Sequence, residues 1–250
     1  MSTPVKVSVT FSGADNRTYI DDVCRICEAA DRLGIHVEFG LLCSATRGGT
    51  PRYPTPWVAR HLAKVVTDEH ATVAVHVCGS YARAAVDGTL AEVLPEPWAG
   101  VLRTADRVQV NLPPGMSLPD ELRAARLGVA AAVQLDPRDM RRPLVIGQHR
   151  NASKWHASEP GLQWLYDPSG GTGARSSGWP ALPSWRVGLA GGLGPGTVAY
   201  AARHLAAGAG GWLDMETNVR DVDDRLCPEL CRQVLREVAG ALREAVCDLA

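Results

Sequence analysis

Short segments in which apolar and polar residues alternate recur along the chain. Val5, Val7, Val9 and Phe11 alternate with Lys6, Ser8, Thr10 and Ser12. Val37, Phe39 and Leu41 alternate with Glu38 and Gly40, and Val73, Val75 and Val77 with Ala74, His76 and Cys78. Val108, Val110 and Leu112 alternate with Arg107, Gln109 and Asn111. A period of two is that of an extended strand with one apolar face. Strands are expected at residues 5–12, 36–42, 72–78, 107–112, 143–149, 162–167, 185–190 and 211–216. Helical spacing is clearest at 21–33, 55–67, 119–135, 195–207 and 228–249. Residues 151–160 and 169–183 read as loops, so the fifth and sixth units are the weakest. Eight strands trading places with helices are the signature of a (β/α)8 TIM barrel, of class α/β.

Parity along the strands places the chemistry. Apolar positions should face the surrounding helices, which turns the polar set into the barrel. Lys6, Glu38, Arg107, Gln163 and Arg186 fall early in their strands, at the bottom, where opposite charges can form a structural network. Thr10, Ser12, His76, Cys78, Asn111, His149, Asp167, Asp214 and Glu216 fall late, at the carboxyl-terminal face where barrel active sites sit.

Composition narrows this picture. The 250 residues suit one barrel domain spanning 1–250. A hydrophobic fraction of 46% and a net charge of -1 offer no footprint for nucleic acid or an anionic membrane. No apolar run is long enough to span a bilayer, and no signal peptide is evident, so a cytoplasmic location is expected. A monomer or homodimer is expected. Lys6, Lys64 and Lys154 are the only lysines, which leaves few candidates for Schiff-base chemistry. The seven cysteines read as free thiols. Cys24 and Cys27 on the first helix could meet Cys227 and Cys231 on the last at a zinc ion, although packing is the ordinary role of such residues.

Two glycine runs carry the functional signal. Asp167 precedes Gly170-Gly171-Thr172-Gly173, and Gly191-Gly192-Leu193-Gly194-Pro195 follows an apolar run and leads into a helix. Glycine lets backbone N–H groups approach a ligand, and a helix N-terminus favours an anion. A small anionic substrate is therefore expected above Gly171, Gly173, Gly191 and Gly192. With Thr50-Pro51-Arg52-Tyr53-Pro54-Thr55-Pro56, Val108-Gln109-Val110, and Asp214 with Val219, these motifs resemble phosphoribosylanthranilate isomerase. The resemblance implies a phosphorylated sugar substrate and an aminoaldose-to-aminoketose rearrangement. It implies Asp167 as general acid and Arg52 as the binder of a carboxylate. Where that family carries a base cysteine, this chain has Thr10 or Ser12. Where it has a phosphate-binding Ser-Ser-Gly turn, this chain has Glu216-Thr217-Asn218.

The expected enzyme is thus a diverged isomerase-like barrel working by acid/base proton transfer. Asp167 is the acid, and Glu216, His76 or Cys78 is the base. Asn111, His149 and Asp214 join Arg52 and the glycines in binding. No cofactor and no metal is required by this reading. A metal-assisted lyase or aldolase, with Glu216, Asp214, His76 and Glu38 as ligands, is the alternative. A barrel that only binds a ligand is a third. Arg47, Arg150, Arg175 and Arg220 lie in upper loops and could grip anions.

Overall fold

Each strand pairs in parallel with the next, and the last returns to the first. In a computed structural model, which describes residues 7–112, 119–134, 144–150, 155–157 and 159–247, eight strands close a barrel in sequence order. They are β1 (Val7–Ser12), β2 (His36–Ser44), β3 (Thr72–Cys78), β4 (Arg107–Asn111), β5 (Leu144–His149), β6 (Leu162–Tyr166), β7 (Val187–Leu189) and β8 (Gly211–Met215). Lys6 and Lys154 lie outside the described residues.

The helices are α1 (Ile20–Leu33), α2 (Pro56–Asp68), α3 (Ser80–Val86), α4 (Leu90–Val93), α5 (Glu96–Thr104), α6 (Pro119–Ala132), α7 (Val198–Ala206) and α8 (Pro228–Cys247). Three short helices, α3 to α5, fill the β3–β4 crossover where the sequence showed no clear helical run. The helix α7 begins later than expected. Gly196 sits at φ 78, outside helical space, so the turn from Gly194 to Thr197 stays a loop. Among the described residues no helix follows β5 or β6. The outer face there is covered by Trp155, Trp164, Tyr166 and Trp179, with Trp155 Nε1 donating to the Ala181 carbonyl at 2.8 Å. None of the described helices is long and apolar enough to cross a membrane.

Register fixes which side chains point inward. Thr10 pairs with Glu38 and with Asp214, and Gln109 with Ile146. Residues paired across parallel strands share a face, so Ile146 and then Gln148 are inward on β5. His149 therefore faces outward, against the expectation for it. Its ring packs against Trp155 at 4.6 Å and Tyr166 at 5.6 Å between centroids.

The barrel floor is one connected layer. Arg107 donates to Glu38 from Nε (2.9 Å) and Nη2 (2.5 Å), and to Gln163 Oε1 (3.4 Å). Its guanidinium lies 4.2 Å from the Trp212 ring, and Thr10 donates to Glu38 at 2.8 Å. This is the structural network expected from the early polar positions. Arg186 stands apart from it and donates to the Gly211 carbonyl at 3.3 Å.

The helices α1 and α8 do pack together, as a closed barrel requires. Cys24, however, donates to Glu69 at 3.4 Å, and Cys27 and Cys231 are buried in the core. Among the described residues no three His, Cys, Asp or Glu side chains converge as metal ligands. The cysteine set is packing, and Glu216, Asp214, His76 and Glu38 do not form the ligand group of the lyase alternative.

Candidate active site

A cavity of about 260 Å³ opens at the carboxyl ends of the strands. Its floor carries His76, Gln109 and Asp214, and its walls are the loops after β5, β6, β7 and β8. Asp214 is the chemically distinctive group. Burial pushes its carboxyl up from 3.8 to about 7, and the nearby Glu38 and Asp167 charges add to that. Ser12 opposes the rise by donating to Oδ1 at 2.7 Å. Of the two hydroxyls near the expected base position, Thr10 is thus committed to the floor and Ser12 to Asp214. A carboxyl titrating near neutrality can both give and take a proton.

The glycines first serve to let three loops pack on one another. A Cβ on Gly192 would lie 2.5 Å from the Arg175 backbone, one on Gly173 2.9 Å from Thr217, and one on Gly194 2.5 Å from Asn218. Gly192, at φ 65, also needs a conformation that side chains disfavour. The result is a buried turn in which the N–H groups of Gly192, Leu193 and Gly194 meet no acceptor among the described residues. Buried unpaired N–H donors are rare and costly. Several in one loop make a nest for an anion. Gly191 stands beside them, with a Cβ position 3.1 Å from Pro168. Gly171 faces open space.

Asp167 lies beside this loop, as expected, but its oxygens are engaged. Ser169 donates to Oδ1 from its backbone (3.0 Å) and hydroxyl (2.7 Å), and the Gly171 N–H donates to Oδ2 at 2.8 Å. The carboxylate organises the glycine loop.

Glu216 and Arg52 meet directly, Nη1 to Oε1 at 2.9 Å. Arg52 also donates to Asp224 from Nε (3.1 Å) and Nη2 (3.0 Å), and its backbone N–H donates to Asp15 at 2.7 Å. Arg220 joins the same clamp through Asp15 (3.0 Å) and Asp224 (2.8 Å). The charge of Arg52 is therefore balanced within the protein by Glu216 and Asp224. The clamp also supplies the cation that a glutamate beside an anion site requires. Arg220 is buried within it and does not reach for ligands.

The remaining candidates separate. His76 is buried, and desolvation lowers it from 6.5 to about 4, outweighing the pull of Glu216 and Glu38. It is a neutral imidazole at physiological pH. The Gln109 amide donates to Nδ1 at 3.3 Å, so the ring proton sits at Nε2. Cys78 lies behind Asn111, whose amide donates to Sγ at 3.3 Å. Burial pushes the thiol up to about 11, so it is no thiolate base. Asn111 lines the cavity and its Oδ1 accepts from Gln109 at 3.0 Å. His149, turned outward, does not line it.

The register of β5 brings in Gln148 and Arg150 instead. Adjacent Gln148 and His149 are both polar, so alternation alone did not choose between them. Asp15 and Asp224 were also missed. The charge-dense run Arg220-Asp221-Val222-Asp223-Asp224-Arg225 was the available signal.

Comparison with known proteins bears on the fold alone. No family model and no curated protein matches the chain. The isomerase TrpF from Jonesia denitrificans is similar in structure, with TM-score 0.57 at 18% identity over 94% of this chain and 98% of that one. The phosphoribosyl anthranilate isomerase from Thermus Thermophilus gives 0.56 at 16%, over 93% and 98%. A broad specificity endoglucanase from Clostridum cellulovorans gives 0.53 at 10%, over 96% and 94%. Barrels of different chemistry match almost equally well, so what these likenesses establish is the (β/α)8 barrel, with isomerases of the TrpF type among its neighbours.

Proposed function

We propose that this barrel is an isomerase-like enzyme that moves a proton within a small anionic substrate of the phosphorylated-sugar type. The observation that carries the reading is the pairing of Asp214 with the β7 loop at Gly191, Gly192 and Leu193 on one cavity. One group exchanges protons near neutral pH and the other holds an anion without a counter-charge. A solved neighbour of this fold holds reduced 1-(o-carboxyphenylamino)-1-deoxyribulose 5-phosphate, a ligand with such a phosphate end.

In this reading Asp214, when protonated, gives its proton to the opening ring oxygen. As carboxylate it takes the proton from the adjacent carbon, with Ser12 supporting the charged form. His76, neutral, donates through Nε2 to a substrate oxygen. Asp167 shapes the anion loop, and Glu216 is held by Arg52. Steady-state turnover of a panel of aminoaldose phosphates tests the proposal. Activity with an alkaline limb near pH 7 that disappears in Asp214→Asn supports it, and no turnover of any member defeats it. With no thiolate at the end of β1, the chain is expected not to restore tryptophan-independent growth to a strain lacking the pathway isomerase. Robust growth would show that Ser12 and Asp214 together replace the thiolate.

A further inference from the structure

Register turns Glu38, Gly40 and Leu42 of β2 into the barrel, and of the three only Gly40 brings no side chain. Its backbone does not call for glycine, since its φ lies outside the left-handed region. Its neighbours take the space instead. A Cβ on Gly40 would lie 2.3 Å from Ser12 Oγ and 2.9 Å from His76 Nε2, so side chains of β1 and β3 converge over its α-carbon. Gly40 pairs with Ser12 in register, and its carbonyl accepts from the Gly13 N–H at 2.9 Å, which ties the two strand ends together. From that place Ser12 donates to Asp214 Oδ1 at 2.7 Å, and among the described residues no other side chain donates to that carboxyl. Thr10 is no substitute, because its hydroxyl is committed to Glu38.

We propose that Ser12 and Gly40 are positioning residues for proton transfer at Asp214: the bare α-carbon of Gly40 leaves the room that holds the Ser12 hydroxyl against the carboxyl, and His76 closes that room from the other side. This rests on Asp214 being the proton-transfer group of the reaction proposed above. The β1 hydroxyl acts through its neighbour, in keeping with its burial and its place outside the cavity lining. A methyl at position 40 would force a choice. The serine hydroxyl turns about a single bond and is the easiest group to move. Turning it off Gly40 takes it off Asp214 as well. A buried carboxylate that loses a donor holds its proton more tightly. The other groups facing Asp214 stay as they are. They are Glu38 on β2, Asp167 after β6 and Arg107 on β4, with His76 on β3 neutral and Glu216 after β8 paired with Arg52.

Carbon-13 NMR of the whole chain, labelled at its aspartate carboxyls, follows Asp214 without any substrate, and Asp214→Asn assigns the signal. Wild type should titrate at about 7. Ser12→Ala should raise the midpoint by about one pH unit, a roughly tenfold gain in proton affinity, as for one lost hydrogen bond to a charged group. Gly40→Ala should raise it to the same extent. Adding Gly40→Ala to Ser12→Ala should change nothing further, since the methyl acts through the hydroxyl. If Gly40→Ala alone does not fold, the double variant should, because the atom nearest the new methyl is gone. An unmoved midpoint in Ser12→Ala or in folded Gly40→Ala overturns the proposal. So do additive shifts in the double variant, or a double variant that fails to fold along with Gly40→Ala. Where an aminoaldose phosphate turns over, the alkaline limb of kcat should move with the midpoint, and a limb that stays in place overturns the proposal while the reaction stands. The expected titrations with no turnover of any substrate defeat the reaction and leave the coupling of Gly40 to Asp214 intact. A wild-type Asp214 that titrates like an exposed aspartate overturns both.

Discussion

Glu38 and Asp214 sit on the two strands that flank β1, are both buried, and hold their protons in opposite senses. Burial raises both. At Glu38 the Arg107 charge and its hydrogen bonds, with help from Thr10, outweigh burial and lower the carboxyl below its usual 4.5. At Asp214 one serine hydroxyl is the main opposing partner, and the group stays near 7. Inside one barrel, a cation in contact makes a carboxylate structural, and its absence leaves a carboxylic acid ready to exchange a proton.

That contrast can be broken at either end. Asp214→Asn should lower turnover by about 10²–10⁴-fold, the usual scale for a lost proton donor. The matching assay is kcat against pH for wild type and variant, and near-normal kcat would return the acid role to Asp167. Glu38→Gln should leave Arg107 buried beside a neutral amide and destabilise the fold by about 3–5 kcal/mol. Urea denaturation measures this, and an unchanged midpoint would mean that Arg107 finds other partners.

The pH dependence of stability should then run in opposite directions. Asp214 binds a proton in the folded state between 3.8 and about 7 that the unfolded chain has released. Its contribution is full below 3.8 and is lost as pH rises toward 7. Glu38 contributes above 4.5 and loses that contribution as pH falls through its lowered native value. Denaturation from pH 4 to 8 should show the first slope in wild type and a flatter curve in Asp214→Asn. The smallest effect is expected for Glu216→Gln. Its pair with Arg52 is part-exposed, and Arg52 keeps Asp224, so stability should change by about 1 kcal/mol or less. A larger loss in thermal unfolding would make Glu216 a keystone of the loop clamp.

Strand parity was legible wherever small apolar and polar residues alternate cleanly, as in β1 to β4, and it placed Thr10, Ser12, His76 and Asn111 inside the barrel. It failed at β5, where Gly147 leaves the outer side to Trp164 and Leu122 and the two polar residues that follow are adjacent. Only pairing with β4 decides that case. Asp214 was legible as an inward acid, yet its role was not. The proton affinity depends on Arg107 lying against Glu38 instead, a contact between residues 69 positions apart. Arg52 was read as open to ligand because its partners, Asp224 and Glu216, come from the far end of the chain.

That no helix follows β5 or β6 among the described residues has a consequence for how this barrel can change. In most of the circle, one segment covers the strands and another shapes the mouth, so either can be exchanged alone. The stretch after β6 does both. Gly170, Gly171 and Gly173 border the cavity, while Trp179 packs on Tyr166 at 6.2 Å and Leu182 fills the space beside Gly208. Modularity is lost in this sector. A graft or insertion that retunes selectivity here also strips the cladding from two strands, so new specificities should arise more readily by single substitutions at its tip than by swapping the loop.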